Sequence, residues 1–224
     1  MLPMMSGLKL LMDKRFSFLA FAAVLLFQGL AWAVIDTEAL QQSWPKQHVH
    51  DYELGRYNVR WRQKLSKQKG LWAGVSFTVP QPRSVVWGLS NDYSDVGKMT
   101  PGVQAVRIRQ EGANRKVVQI DMKILWKELT LTFEFEEDPP DTLRFRWYDN
   151  RFGEYIGIAV FTESVAKSEK EPAQTTVELS THFESYRPVP LRLLLGVERA
   201  AMLSATRDFL KSCEKPPAPC LSCQ

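Results

Sequence analysis

Glu198 stands on a helical stripe made by Leu194, Leu195 and Met202, and Thr181 interrupts a strand face made by Val177, Leu179 and Phe183. A carboxyl group held among apolar side chains has its pKa raised and can serve as an acid or as a hydrogen-bond anchor. Glu198 and Thr181 are therefore the candidate catalytic or anchoring residues. The competing reading puts Glu198 at the edge of its stripe, reaching water and pairing with Arg199 or a neighbouring strand. Glutamate is seldom buried unpaired, which favours that edge position. A hydroxyl at Thr181 is ordinarily satisfied by nearby backbone.

The remaining chemistry is sparse. His48-x-His50-Asp51 puts two imidazoles and a carboxylate in one short polar segment, but it supplies no further ligand, so a solvated loop is expected and no metal site. His182 shares a strand face with Glu178, Ser180 and Glu184, which reads as an outer, wet face. No Ser-His-Asp order, H-E-x-x-H, P-loop or G-x-G-x-x-G occurs, and no cofactor is expected. Cys213, Cys220 and Cys223 all fall in the last twelve residues, with Pro216-Pro217-Ala218-Pro219 between the first two. In an oxidising compartment two of them form a disulfide and one thiol is left over. Cys220-x2-Cys223 has a metal spacing but lacks a nearby fourth ligand.

The oxidising compartment follows from the start of the chain. Lys14-Arg15, the uncharged apolar run from Phe16 to Leu30 and the sequence Ala31-Trp32-Ala33 have the layout of a secretory signal peptide cleaved after Ala33. A periplasmic or secreted protein is expected, with an uncleaved membrane anchor as the alternative. Phe16 to Ala33 is short for a span, so no stable membrane span is expected after cleavage. Loss of Lys9, Asp13, Lys14 and Arg15 lowers the net charge from +4 to +2. A nucleic-acid binder concentrates far more positive charge than this.

The elements that must position these residues are legible from periodicity. Residues 34–56 read as a polar segment, and Tyr57 to Trp61 alternates like a strand. Leu71, Ala73, Val75, Phe77 and Val79 share one face of the next strand, opposite Trp72, Gly74, Ser76 and Thr78. Pro82 suits the first turn of a helix carrying Val86, Leu89 and Tyr93 on one face, and Ser94 can cap a second short helix. Thr100-Pro101-Gly102 is a turn.

From Val103 to Tyr186 strands follow one another. The markers are Val106 with Ile108, then Val118, Ile120, Met122 and Ile124, then Leu129, Leu131, Phe133 and Phe135. Leu143, Phe145 and Trp147 continue the pattern, and Tyr155 to Thr162 is apolar on both faces. Short turns and clean alternation predict an antiparallel meander with one buried face. A parity switch at Trp126-Lys127 predicts a turn or bulge there. After Pro188 and Pro190 a helix runs from Leu191 to about Lys211. Leu191, Leu194, Leu195, Met202, Ala205 and Phe209 line one side, widened by Leu193, Val197, Ala200 and Leu203. Arg192, Arg199, Arg207 and Lys211 are left for water.

Two stretches, "FTVPQPRSVVWGLSNDYSDVGKMTPGV" and "YRPVPLRLLLGVERAAMLSATRDFL", resemble the START-like (SRPBCC) superfamily, which includes polyketide cyclases and lipid-transfer domains. The resemblance covers roughly Tyr57 to Cys213. It implies an α+β helix-grip fold: a curved antiparallel sheet wrapped around a long C-terminal helix, with two short helices after the first sheet strand. The expected organisation is 1–33 signal peptide, 34–56 polar segment, 57–212 START-like domain and 213–224 Cys/Pro-rich tail.

The resemblance also implies a function. It points to an internal cavity holding a lipid, isoprenoid or polyketide-like molecule, closed at one end by Val85 to Val103 as a lid. Trp87 and Met99 would line it from the short helices, and Leu194, Leu195 and Met202 from the long one. Leu131, Phe133, Phe145, Trp147, Leu179 and Phe183 would line it from the sheet, with Trp72 and Trp126 in or beside the same space. A cyclase or aromatase-type enzyme on the same fold is the rival reading and needs Glu198 or Thr181 inside. An interaction scaffold without a ligand is the third; it needs a filled interior and an exposed apolar patch.

Overall fold

The computed structural model describes residues 37, 40, 49–65, 70–124, 127–164, 173–188 and 190–214. The segments 1–33 and 66–69, and with them the signal peptide, lie outside the described residues, as do His48, Trp126, Cys220 and Cys223. Among the described residues, nine strands form one antiparallel sheet: β1 (Val49–Leu54), β2 (Tyr57–Leu65), β3 (Gly70–Val79), β4 (Val103–Glu111), β5 (Arg115–Ile124), β6 (Lys127–Asp138), β7 (Thr142–Asp149), β8 (Gly153–Ser164) and β9 (Gln174–Ser185). The helices are α1 (Arg83–Asn91), α2 (Tyr93–Met99) and α3 (Leu191–Glu214). The strand order is β1-β2-β3-β9-β8-β7-β6-β5-β4, so the meander from β4 to β9 folds back and lays its last strand beside β3. The sheet is curved and α3 packs across β2 and β3, which is the expected helix-grip arrangement.

Period-two alternation sets the faces. Ala73, Thr181, Gly157, Phe145, Phe135 and Lys116 are register partners in successive strands and so point the same way. Trp61, Val75, Leu179, Ala159, Leu143 and Glu137 form a parallel row on that same side. This is the face turned to α3, because Thr181 hydrogen-bonds Glu198 of that helix. Leu71, Ala73, Val75, Phe77 and Val79 are all buried on it, as their alternation predicts.

Five local expectations are corrected. The segment around His50-Asp51 is not a loop: β1 pairs with β2, burying Leu54 and packing Tyr52 against the core, and Asp51 accepts a 2.9 Å bond from Arg60 Nε. Two inward apolar residues were enough to add a strand to a mostly polar segment. Pro82 is the N-cap of α1 and not its first residue. The cap of α2 is Asp92, whose carboxylate accepts from Asp95 N at 3.0 Å, and not Ser94, which lies inside the helix. Ile108 is 47% exposed: it pairs with Val118 from edge strand β4, which has no neighbouring strand on its far side among the described residues. Leu193 and Val197 do not widen the buried stripe of α3; they are 45% and 44% exposed on its outer side.

The short helices are clamped at both ends. α2 lies so close to β4 that a Cβ on Gly97 would stand 2.3 Å from a Val106 methyl. At the α1–α2 junction Tyr93 is buried, donates to Glu137 Oε1 at 2.5 Å and packs edge-on against Phe135. Lys116 Nζ completes the group, 3.0 Å from the same Glu137 oxygen. A carboxylate this buried is tolerated because both a cation and a hydroxyl reach it.

Candidate functional site

The two halves of α3 are buried differently. Met202, Thr206, Leu210 and Cys213, from its middle to its end, are buried, with Phe209 5.9 Å from Phe77 of β3. Leu191, Leu194, Leu195 and Glu198 in its first half are only half-buried. Two apolar groups reflect this division. The larger contains Trp61, Val75, Phe77, Val86 and Met202; the smaller contains Leu71, Trp147, Phe152 and Phe183, with Leu194 packed against it. Leu195 touches both.

Opposite the first half of α3 lies a cluster of rings. Phe133, Phe135 and Phe145 are mutually 5.9–6.2 Å apart between centroids, and Tyr155 extends the cluster 5.7 Å from Phe145. All four are half-buried although they sit on the helix side of the sheet. Gly157 makes the arrangement possible. A Cβ there would lie 2.1 Å from the Phe145 ring, so only hydrogen leaves room for the ring to lie across β8.

One polar group interrupts this surface. Glu198 Oε1 accepts from Thr181 Oγ1 at 2.7 Å and from Tyr155 OH at 3.1 Å, while Thr181 Oγ1 is also 3.2 Å from Ala73 O. Glu198 thus faces inward and not toward Arg199, which is exposed. Burial pushes its carboxyl above the usual carboxylate range, against the opposing pull of the Thr181 and Tyr155 hydroxyls. Burial likewise raises Tyr155, and the Glu198 charge adds to that. The resulting chemistry is a carboxyl group whose acid form burial favours, flanked by two hydroxyls and able to act as an acid or a hydrogen-bond anchor.

The other expected lining residues divide between the two zones. Met202 is buried in the larger core, and Trp87 packs edge-on to Phe161 at 5.3 Å. Leu179 is half-buried beside the same core, whereas Trp147 and Phe183 are buried in the smaller group with Leu131 and Phe133 against it. Met99 is half-buried at the end of α2. Trp72 is outside this space, on the opposite face of the sheet, where it stacks on His182 at 4.0 Å. His182 is consequently half-buried and not wet, and burial lowers its pKa. Cys213 is a free thiol, 1% exposed, and burial pushes it up to about 12, while the expected pairing among the tail cysteines involves Cys220 or Cys223, which lie outside the described residues.

Tyr155, Phe135 and Gly157 were not anticipated as site residues. Phe135 could have been found from its period-two relation to Phe133. Tyr155 and Gly157 could not, because Tyr155 to Thr162 is apolar on both faces and only cross-strand register shows which residues point inward. Among the described residues no cluster of His, Cys, Asp or Glu could hold a metal ion, and no helix is long and apolar enough to cross a membrane.

No protein-family profile matches the sequence, and no curated protein is similar to it. Solved structures do resemble it. The Zhui aromatase/cyclase of Streptomyces sp. R1128 is 16% identical, with 64% of this chain and 91% of that one covered and a TM-score of 0.50. TTHA0849 from Thermus thermophilus is 21% identical over 64% of this chain and 94% of that one, with a TM-score of 0.48. Ara h 8.0201 is 11% identical over 62% and 95%, also with a TM-score of 0.48. Sheet order, the two short helices after β3, the long terminal helix and the similarity to the aromatase/cyclase structure agree: this chain has a helix-grip fold.

Proposed function

We propose that this protein is an exported carrier that holds an apolar small molecule between the sheet and the first half of α3. The supporting observation is the half-buried ring cluster Phe133, Phe135 and Phe145, which lies on the helix side of the sheet together with half-buried Leu194 and Leu195. Apolar ligand sites combine such surfaces with few polar groups. A lipid, an isoprenoid and a polyketide-like compound all fit this chemistry. Native mass spectrometry before and after organic extraction tests it: the expected result is an adduct mass that extraction removes and apolar compounds restore. A protein that is always empty, and that no apolar compound stabilises, overturns the reading.

Export rests on the run from Phe16 to Ala33. The mature chain should begin at Val34, whereas recovery of Lys14-Arg15 in a membrane fraction favours the anchored form.

The cyclase reading is favoured by one observation of its own, the inward Glu198 with its Tyr155 and Thr181 partners. A polyketide-type compound recovered as a cyclised product, and recovered unchanged from Glu198→Gln, would favour the enzyme over the carrier.

A further inference from the structure

The Glu198 carboxyl group uses one oxygen for the protein. Both hydroxyl bonds, from Thr181 and Tyr155, end on Oε1, and among the described residues no hydrogen bond or ion pair engages Oε2. The residue is half-buried on the helix side of the sheet, and its second oxygen is the unused polar position beside the half-buried rings. A ligand atom that reaches Oε2 finds a hydrogen-bonding partner on an otherwise apolar surface.

We propose that Glu198 Oε2 holds the polar end of the ligand, and that the ligand is an apolar molecule terminating in an uncharged hydroxyl group. The inference rests on the carrier reading and narrows its ligand class. Three observations lead to it. First, among the described residues no cation is placed to serve this position: Arg192 and Arg199 are exposed on the flank of α3, and Lys116 is committed to Glu137 at 3.0 Å. A carboxylate or phosphate head would meet Glu198 with no counter-charge. Second, a hydroxyl suits either protonation state of the carboxyl, since it accepts a bond from the acid and donates one to the carboxylate. Third, Tyr155 bonds Glu198 through its hydroxyl and packs its ring 5.7 Å from Phe145, so the polar end adjoins the half-buried rings.

Displacement of N-phenyl-naphthylamine by naphthol and by naphthalene tests the proposal, with melting temperature recorded for each variant. Wild type should prefer naphthol to naphthalene about tenfold, the effect of one buried hydrogen bond. Glu198→Leu should abolish that preference and keep naphthalene binding within about twofold, while Glu198→Gln, which both donates and accepts, should retain most of it. Naphthoate should bind wild type more weakly than naphthol. An undiminished naphthol preference in Glu198→Leu overturns the proposal while leaving the carrier reading intact; failure of every compound to bind overturns both. If Glu198→Leu does not fold, infrared difference spectra of the wild type decide the matter. The Glu198 carboxyl band, identified by its absence in Glu198→Gln, should shift with naphthol and not with naphthalene, and a band indifferent to naphthol contradicts the proposal.

Discussion

Thr181 Oγ1 on β9 lies 2.7 Å from Glu198 Oε1 on α3, so this bond, with the one from Tyr155 on β8, ties the first half of the long helix to the sheet. Because burial raises the Glu198 pKa, the folded state holds this proton more tightly than the unfolded chain does. Its contribution to stability is complete below the usual carboxylate range and is lost as pH rises through the raised folded value. Melting temperature should therefore decline over that window in wild type and decline less in Glu198→Gln. Equal slopes in the two proteins would show that Glu198 binds its proton equally well in the folded and unfolded chain.

His182 works in the opposite direction. Stacked on Trp72 and half-buried, it has a folded pKa below its ordinary 6.5. The unfolded chain binds the proton more readily, so stability is present above about 6.5 and is lost as pH falls through the depressed value. His182→Gln should flatten the acid side of the stability profile. An unchanged acid limb would mean that other groups account for it.

Tyr93 latches the helix pair to the sheet through Glu137, whose Oε1 also lies 3.0 Å from Lys116 Nζ. Tyr93→Phe removes a hydrogen bond to an ion, worth about 1.5–3 kcal/mol, while leaving the ring on Phe135. Chemical denaturation should show that loss. Faster amide exchange confined to α1 and α2 is expected with it; a uniform increase across the sheet would assign Tyr93 no local latch role.

Gly157→Ala places a methyl group against the Phe145 ring, 2.1 Å from its nearest atom before relaxation. Overpacking of this kind costs about 1–3 kcal/mol. The ring must turn toward α3 to escape, so apolar-probe binding should weaken together with stability. Full stability would show that β8 and β7 separate more easily than the register implies.

The architecture was legible because strand alternation and helix periodicity survive in the sequence. Leu71 to Val79 bury the face that their spacing marks, and on the marked faces of β7 and β9 Leu143, Trp147, Val177 and Phe183 are buried with Phe145 and Leu179 half-buried. Two features were hidden for different reasons. β1 has only two apolar residues, Tyr52 and Leu54, on the inward face that His50 shares, too few to stand out in a segment that also holds Asp51 and Glu53. The inward turn of Glu198 depends on Tyr155 and Thr181, which are 43 and 17 residues away in sequence and meet only through strand pairing. Periodicity placed Glu198 on the buried stripe; the statistics of isolated glutamates pointed the other way because they carry no information about partners.

The most direct test of an occupied space under the first half of α3 compares Leu194→Trp with Met202→Trp. Leu194 is half-buried beside the Phe133 end of the sheet, while Met202 is 9% exposed within the larger core. Melting temperature and uptake of N-phenyl-naphthylamine are measured together for both. The account predicts that Leu194→Trp keeps wild-type stability and loses the probe, because the indole occupies the ligand's place. Met202→Trp should be destabilised by about 1–3 kcal/mol, because nothing there can give way. Contradiction would come from Leu194→Trp being destabilised as much as Met202→Trp, which means a packed interior, or from its binding the probe as wild type does.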